Sequence, residues 1–207
     1  MQQNRPDPIA ALFAAVSEVV EAQKSYLCEL DGPIGDGDHG TTMALGFRAV
    51  QRVLAGGPVT DPAETFRRAA AAFLDAVGAS TGPLYATGFR RAAQRLDGRE
   101  GFATEEQVLM LEGVAAGIAE RGKARRGDKT MLDVWLPAAE AARGALDVDR
   151  PIWPAVLEAA ERGAEATGAM VASRGRAARL GERSLGHLDP GAVSAALILK
   201  AMAGVLG

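Results

Sequence analysis

Apolar residues recur at helical spacing along the whole chain, in runs broken by glycine, proline and aspartate. The first run sets Ile9, Leu12, Phe13, Val16, Val19 and Val20 on one face, the stripe of a helix that packs on a core. Asp7 and Pro8 stand where an N-cap and a first helical residue are wanted, and the run predicts a helix to about residue 30. A second helix is predicted from near Gly40 to Gly56-Gly57. A third is opened by Asp61-Pro62-Ala63-Glu64 and ends near Gly78, and a fourth follows Gly82-Pro83 to about Leu96. A fifth begins at Thr104, with Gln107 three residues on in a capping-box pattern, and runs to about Arg121. Residues 130–146, 151–173 and 190–206 complete about eight helices. No stretch alternates with a period of two, so no strand is predicted. Connections are short except near 79–81, 122–129 and 174–189, and residues 1–207 read as one all-α domain.

Composition points the same way. The chain is 48% hydrophobic, 24% charged and only 5% aromatic, and it is rich in alanine, the strongest helix former and a weak strand residue. A net charge of −3 with both signs interspersed provides no basic footprint for nucleic acid and no polybasic patch for a membrane. The single cysteine, Cys28, excludes an internal disulfide framework and a CxxC metal site. No segment reaches the roughly 18 apolar residues that span a bilayer. The polar start of the chain lacks the form of a signal peptide, so the cytoplasm is the expected compartment.

The most informative stretch is Leu30-Asp31-Gly32-Pro33-Ile34-Gly35-Asp36-Gly37-Asp38-His39-Gly40-Thr41-Thr42-Met43, in which Asp31, Asp36 and Asp38 crowd a loop that glycines allow to turn tightly. Like charges held close repel one another unless a cation intervenes. Hard oxygen donors on a short loop suit Mg²⁺, which takes a few carboxylates, keeps waters and completes its shell with phosphate oxygens. The helix that follows would aim free N–H groups, from about Gly40 to Met43, into the same space as a phosphate site. The same composition also suits an exposed helix–helix connection. Three motif matches fail here. Gly35-x-Gly37-x-x-Gly40 follows a helix rather than a strand, an EF-hand read from Asp31 finds Thr42 at its twelfth place, and the Walker-like run ending Gly122-Lys123 continues with Ala124 where a hydroxyl is required.

Other segments carry weaker signals. Gly78-Ala79-Ser80-Thr81-Gly82-Pro83 sets two hydroxyls before a helix, fit to cradle phosphates or a base, or to serve as a plain cap. Gly127-Asp128-Lys129-Thr130-Met131 offers the Thr130 hydroxyl at a helix start and a methionine that packs well on a ring. The stretch 173–184 carries Arg174, Arg176, Arg179 and Arg183, whose forks suit phosphate or simply water. His187-Leu188-Asp189-Pro190-Gly191 closes the pattern with a further aspartate cap and proline start.

Taken together, Asp31 with Gly35-Asp36-Gly37-Asp38-His39-Gly40, Gly82-Pro83-Leu84-Tyr85, Asp128-Lys129-Thr130-Met131-Leu132-Asp133, and Gly181-Glu182-Arg183-Ser184 with Gly186-His187 and Asp189-Pro190-Gly191-Ala192 resemble the dihydroxyacetone kinase L-subunit family, in the family's order and over nearly the whole chain. The resemblance implies an antiparallel eight-helix barrel with a nucleotide, ADP or ATP, bound by the loops at one end. It implies two Mg²⁺ ions held by Asp31, Asp36 and Asp38 and bridging the phosphates. Nucleotide contacts would fall to His39, Gly40, Thr41, Thr42, Thr81, Gly82, Met131, Arg176, Asp189, Pro190 and Gly191, with a looser correspondence at Gly122. Two positions depart from the family pattern. Thr81 replaces a common serine and keeps its hydroxyl, and Arg179 replaces a common aromatic, adding positive charge near the phosphate end.

The implied chemistry is phosphoryl transfer from the nucleotide to a primary hydroxyl of a short ketose, with the metals and Arg176 neutralising charge. In the family the ketose is held on a separate K-type subunit or domain. No sugar site is legible here and 207 residues leave no room for a second domain, so a K-type partner is expected. The donor is either free ATP or a phosphohistidine protein of the phosphotransferase system that recharges bound ADP. Two other classes of function are a non-catalytic ADP-Mg-binding regulatory or adaptor subunit and a plain helical interaction domain.

Overall fold

The computed structural model describes residues 8–56 and 61–207; the expected Asp7 cap and the Gly57 end point lie outside them. The helical periodicity is realised as α1 (Pro8–Ala22), α2 (Lys24–Asp31), α3 (His39–Leu54), α4 (Pro62–Ala76), α5 (Thr81–Arg95), α6 (Thr104–Gly122), α7 (Leu132–Asp147), α8 (Ile152–Ala166) and α9 (Pro190–Leu206). Short 3₁₀ turns lie between α8 and α9, at Thr167–Ala169 and Ala177–Ser184. The described residues hold no strand. Among these residues, all eight expected runs are helical; the first is bent at Gln23, which separates α1 from α2. Hydrogen bonds from Gln23 N to Val19 O and from Leu27 N to Gln23 O, each 3.0 Å, pass through the bend. Beyond it α2 buries only Leu27 and Asp31.

Each helix packs on the one before and the one after it, and α9 returns to α1, so the ring closes. In such an up-and-down ring, with α1 and α2 as one stave, every second connection falls at the same end. The α2–α3, α4–α5, α6–α7 and α8–α9 connections therefore share one rim. These are the four segments in which the sequence concentrates its chemistry.

The interior is one continuous apolar cluster. Its few aromatics gather in the middle, where Phe89 meets Phe13 edge-on at 5.4 Å between ring centroids and Phe73 at 6.0 Å. Phe47 and Phe73 are 5.2 Å apart. Edge-to-face pairs of this kind add roughly 0.5–1.5 kcal/mol each beyond their burial. Polar tips inside the ring are paired: Trp153 Nε1 donates to Gln107 Oε1 at 2.9 Å.

Local chemistry moves two expected boundaries and one expected cap. Helix α6 starts at Thr104 as expected, but its cap is Ala103. The Glu106 carboxylate accepts the Ala103 N–H at 3.1 Å, while the expected partner Gln107 is turned inward to Trp153. The run expected to reach residue 173 stops as an α-helix at Ala166, because the Thr167 hydroxyl donates back to Ala164 O at 2.6 Å and Lys129 Nζ takes Thr167 O. The α7 helix starts at Leu132, its N-terminal turn tied by Asp133, which accepts from Thr130 N at 2.8 Å and Gly127 N at 2.5 Å.

Candidate nucleotide and metal site

The α2–α3 connection turns back on itself because Asp31 O accepts from both Ile34 N and Gly35 N, and Gly37 takes a left-handed φ of 74°. The buried Asp31 side chain then accepts the Asp38 N–H at 3.1 Å. Gly35 is required for that approach, since a Cβ there would lie 2.0 Å from Asp31 Oδ1. The result is three carboxylates, Asp31, Asp36 and Asp38, whose oxygens lie within 4.8 Å of one another, with Asp31 buried and the other two exposed.

These carboxylates form one wall of a cavity of about 460 Å³ at the loop end of the ring, within the range of small-molecule sites. The cavity gathers residues from all four connections. His39, Thr42, Ser80, Thr81, Gly122, Thr130, Met131, Arg176, Asp189, Pro190 and Gly191 line it with the three aspartates. Gly40, Thr41 and Gly82 do not. A Cβ on Gly40 would strike Lys24 O at 2.0 Å and one on Gly82 would strike Val77 O at 2.0 Å, so both permit close backbone packing. The Thr41 hydroxyl faces Cys28 Sγ at 3.6 Å. Arg179 is exposed and away from the cavity wall.

Helix register also refines the expected donors. Helix α3 begins at His39, and Thr42 N is already bonded to Asp38 O at 2.9 Å. The first-turn amides left without an intrahelical acceptor are those of His39, Gly40 and Thr41, so the donor set starts one residue earlier than expected and ends two earlier. His39 Nε2 meets Ser194 Oγ at 2.9 Å, and that hydroxyl donates to Gly191 O at 3.0 Å. The network therefore assigns the proton to Nε2 and leaves Nδ1 bare. Burial lowers the imidazole to about 4 against the opposing pull of Asp31, which makes His39 neutral at pH 7.

Asp189 caps α9 by accepting Ala192 N at 2.7 Å. Burial pushes its carboxyl up to about 7, against the Ala192 amide and Lys129, while Asp133 and Asp31 push it further up. A carboxyl whose folded value is raised contributes stability in full below about 3.8 and loses it as pH rises to about 7. Asp189→Asn keeps a cap and removes the titration. Thermal melts across pH 4 to 7 should show the variant gaining on the parent as pH rises, and a constant difference would contradict the assignment.

Arg176 pairs with Asp36 across the cavity mouth. Among the described residues, the buried side-chain polar atom left without a partner is Thr81 Oγ1, of a residue that lines the same cavity. An orphaned buried hydroxyl in a cavity wall is a place where a ligand atom is wanted. Residues that sequence reasoning missed include Lys129, fully buried at the cavity floor, and the apolar wall of Leu84 and Ile118. Ile118 continues the same apolar stripe as Val114, so its spacing carries no signal that separates it from the core.

Residues 33–204 match the DAK2 domain. The chain belongs to the DAK2 family of dihydroxyacetone kinase L-type subunits. It is 40% identical over 190 residues, 90% of both chains, to the ADP-binding subunit DhaL of the PEP-dependent dihydroxyacetone kinase of Escherichia coli K12. It is 37% identical, again over 90% of both chains, to the DhaL ADP-binding subunit of the PTS-dependent kinase of Lactococcus lactis. The solved dihydroxyacetone kinase of C. freundii in complex with AMP-PNP and Mg²⁺ superposes with a TM-score of 0.76 at 28% identity, covering 98% of this chain and 34% of that one. The DAK2 fold is thus all-helical in this chain, and the matched span includes Asp36, Asp38 and the other three cavity loops. No helix among the described residues is long and apolar enough to cross a membrane.

Proposed function

We propose that this chain is the nucleotide-binding subunit of a kinase for dihydroxyacetone or a related short ketose. The observation that carries the reading is the meeting, in the lining of one 460 Å³ cavity, of a three-carboxylate cluster with an orphaned hydroxyl. Hard oxygens this close fit a divalent cation, and Asp31, Asp36 and Asp38 would hold it, as a pair of Mg²⁺ ions. When bound, the metal supplies charge neutralisation and a template for the phosphates. The protein's own part is to orient and to exclude water. The His39 amide at the start of α3, the Thr81 hydroxyl and the α9 N-terminus at Gly191 would receive phosphate oxygens. Met131, Leu84 and Ile118 offer apolar surface to a base. Neutral His39 donates no charge to the site. Arg176, drawn from Asp36 to the transferring phosphate, would stabilise charge that develops in the transition state.

The E. coli and L. lactis relatives are named as ADP-binding subunits of PEP- and PTS-dependent kinases, which supports a further subunit and a donor from the phosphotransferase system; the family resemblance makes these a K-type subunit that holds the ketose and a phosphohistidine protein that recharges ADP. The test is reconstitution. The purified chain should form no phosphorylated ketose by itself and should do so when a K-type subunit and a donor are added. Sustained turnover with ATP and the K-type subunit alone would assign ATP as donor; turnover only with the phosphohistidine protein would assign resident ADP. Full activity of the isolated chain would contradict the two-subunit reading. Mg-ADP binding without product under either donor would favour the regulatory alternative.

A further inference from the structure

The loop that carries Arg176 is built as a closed unit. Its neck is joined by Gly186 N to Gly168 O at 2.9 Å and by Asp189 N to Thr167 Oγ1 at 3.0 Å. Its two arms are joined by Ala172 N to Ser184 Oγ at 2.9 Å. Besides the Arg176–Asp36 pair, one dipeptide in the α6–α7 connection ties this unit to the rest of the ring. Lys129 Nζ donates to Thr167 O and to His187 O, 2.5 Å each, one carbonyl on either side of the neck. Asp128 holds the outgoing arm: its carbonyl accepts Ser173 N at 3.2 Å and its carboxylate accepts Arg174 Nε at 3.3 Å. Arg176 follows two residues later, on Asp36.

The arrangement is not one a plain helix cap requires. Lys129 is 1% exposed, and a buried ammonium is costly unless its protons are bonded. Its backbone is also left-handed, with φ of 59°, a conformation that disfavours any residue with a Cβ. A buried cation on strained backbone persists where the surrounding contacts over-determine it, and here those contacts are the two ends of the arginine loop.

We infer that Asp128 and Lys129 are positioning residues that anchor the arginine loop and so set Arg176 over the carboxylate cluster. The placement of the loop stands on geometry alone; its consequence for nucleotide binding rests on the function proposed above. Four exposed arginines between 174 and 183 make the loop a trypsin substrate whenever it opens.

The experiment compares the parent with Asp128→Ala and Lys129→Met in limited trypsinolysis without ligand, in thermal melts and in Mg-ADP titrations. Cleavage within the loop should rise about tenfold in Asp128→Ala, because proteolysis follows the population of the locally open state. The melting temperature of the ring should move little, and Mg-ADP should bind about tenfold more weakly, the scale of one charge-assisted contact. Should Lys129→Met fail to fold, Asp128→Ala alone decides. Loop cleavage at the parental rate in a folded Asp128→Ala variant would overturn the anchor, whether or not the parent binds nucleotide. A loosened loop with unchanged Mg-ADP affinity would overturn the positioning role. A parent that binds no Mg-ADP, with the loop still loosened in the variants, would leave the anchor standing and remove the function it was meant to serve.

Discussion

Asp38→Asn is expected to weaken magnesium-dependent ADP binding by about 30- to 150-fold while leaving the ring as stable as before. The carboxylate is exposed and belongs to the cluster of Asp31, Asp36 and Asp38, so the substitution deletes one charged oxygen donor from the cation site. The contact that shapes the loop runs from the Asp38 backbone N–H to Asp31 Oδ2, and asparagine keeps it. Loss of a charged contact costs roughly 2–3 kcal/mol, about 30- to 150-fold in affinity. In the apo protein the same change relieves repulsion among neighbouring carboxylates. At ADP a hundredfold above the parent's dissociation constant the parent should gain about 2.7 kcal/mol of stability in magnesium, and the variant only about 0.3–0.9 kcal/mol. Calorimetric titration with paired melts checks both halves. A variant that unfolds would make the aspartate structural, and one that binds as the parent does would take Asp38 out of the site.

The second large effect is on stability. Pro137 sits inside α7 and has no N–H to give the carbonyl of Asp133, four residues earlier. That carbonyl meets α8 instead: a Cβ on Gly163 would lie 2.1 Å from Asp133 O. The contact suits a weak Cα–H···O bond and nothing larger. Gly163→Ala must push α8 from α7, at about 3 kcal/mol for an overpacked contact, or a fall of roughly 6–12 °C in melting temperature for a domain of this size. Gly144, in α7 with nothing within 4 Å of its missing Cβ, is the control. Gly144→Ala should be neutral or stabilising by up to about 1 kcal/mol through helix propensity alone. Equal melts for the two variants would contradict the close crossing.

The ring is legible in the sequence because apolar residues at 3.6-residue spacing form the stripe that a helix with one buried face requires. Aspartate–proline starts at Asp61 and Asp189 carry their cap geometry in the residue types, as the Ala63 and Ala192 amides show. Sequence and structure part where a side chain far along the chain decides a terminus. Nothing near residue 167 announces that Lys129 will take its carbonyl, so spacing alone puts the end of α8 too late. Nothing near Thr104 shows that Gln107 is claimed by Trp153, so the start of α6 is placed correctly but its capping pair is not, being Ala103 with Glu106. In the site, the three aspartates stand out because like charges crowded on a short glycine loop repel one another unless a cation intervenes. Thr81 and Met131 carry only weak signals of their own, since a hydroxyl and a methionine at helix ends are ordinary, and Gly122 enters only through family resemblance. The Asp128–Lys129 anchor is invisible in the sequence, because both residues belong to a segment legible there only as a helix start and a family motif until the loop at 167–189 is folded back on them.

The kinase reading depends above all on Asp31, Asp36 and Asp38 together clamping divalent metal onto the phosphates of an adenine nucleotide. A crystal of the chain grown with ADP and Mn²⁺ in place of Mg²⁺, measured for anomalous scattering, puts this to the test without intermediaries. Anomalous density is expected among the three carboxylates, in contact with the diphosphate and beside Thr81 and Gly191. Manganese found elsewhere, or ADP bound with the three side chains turned to solvent and no metal among them, would refute the clamp.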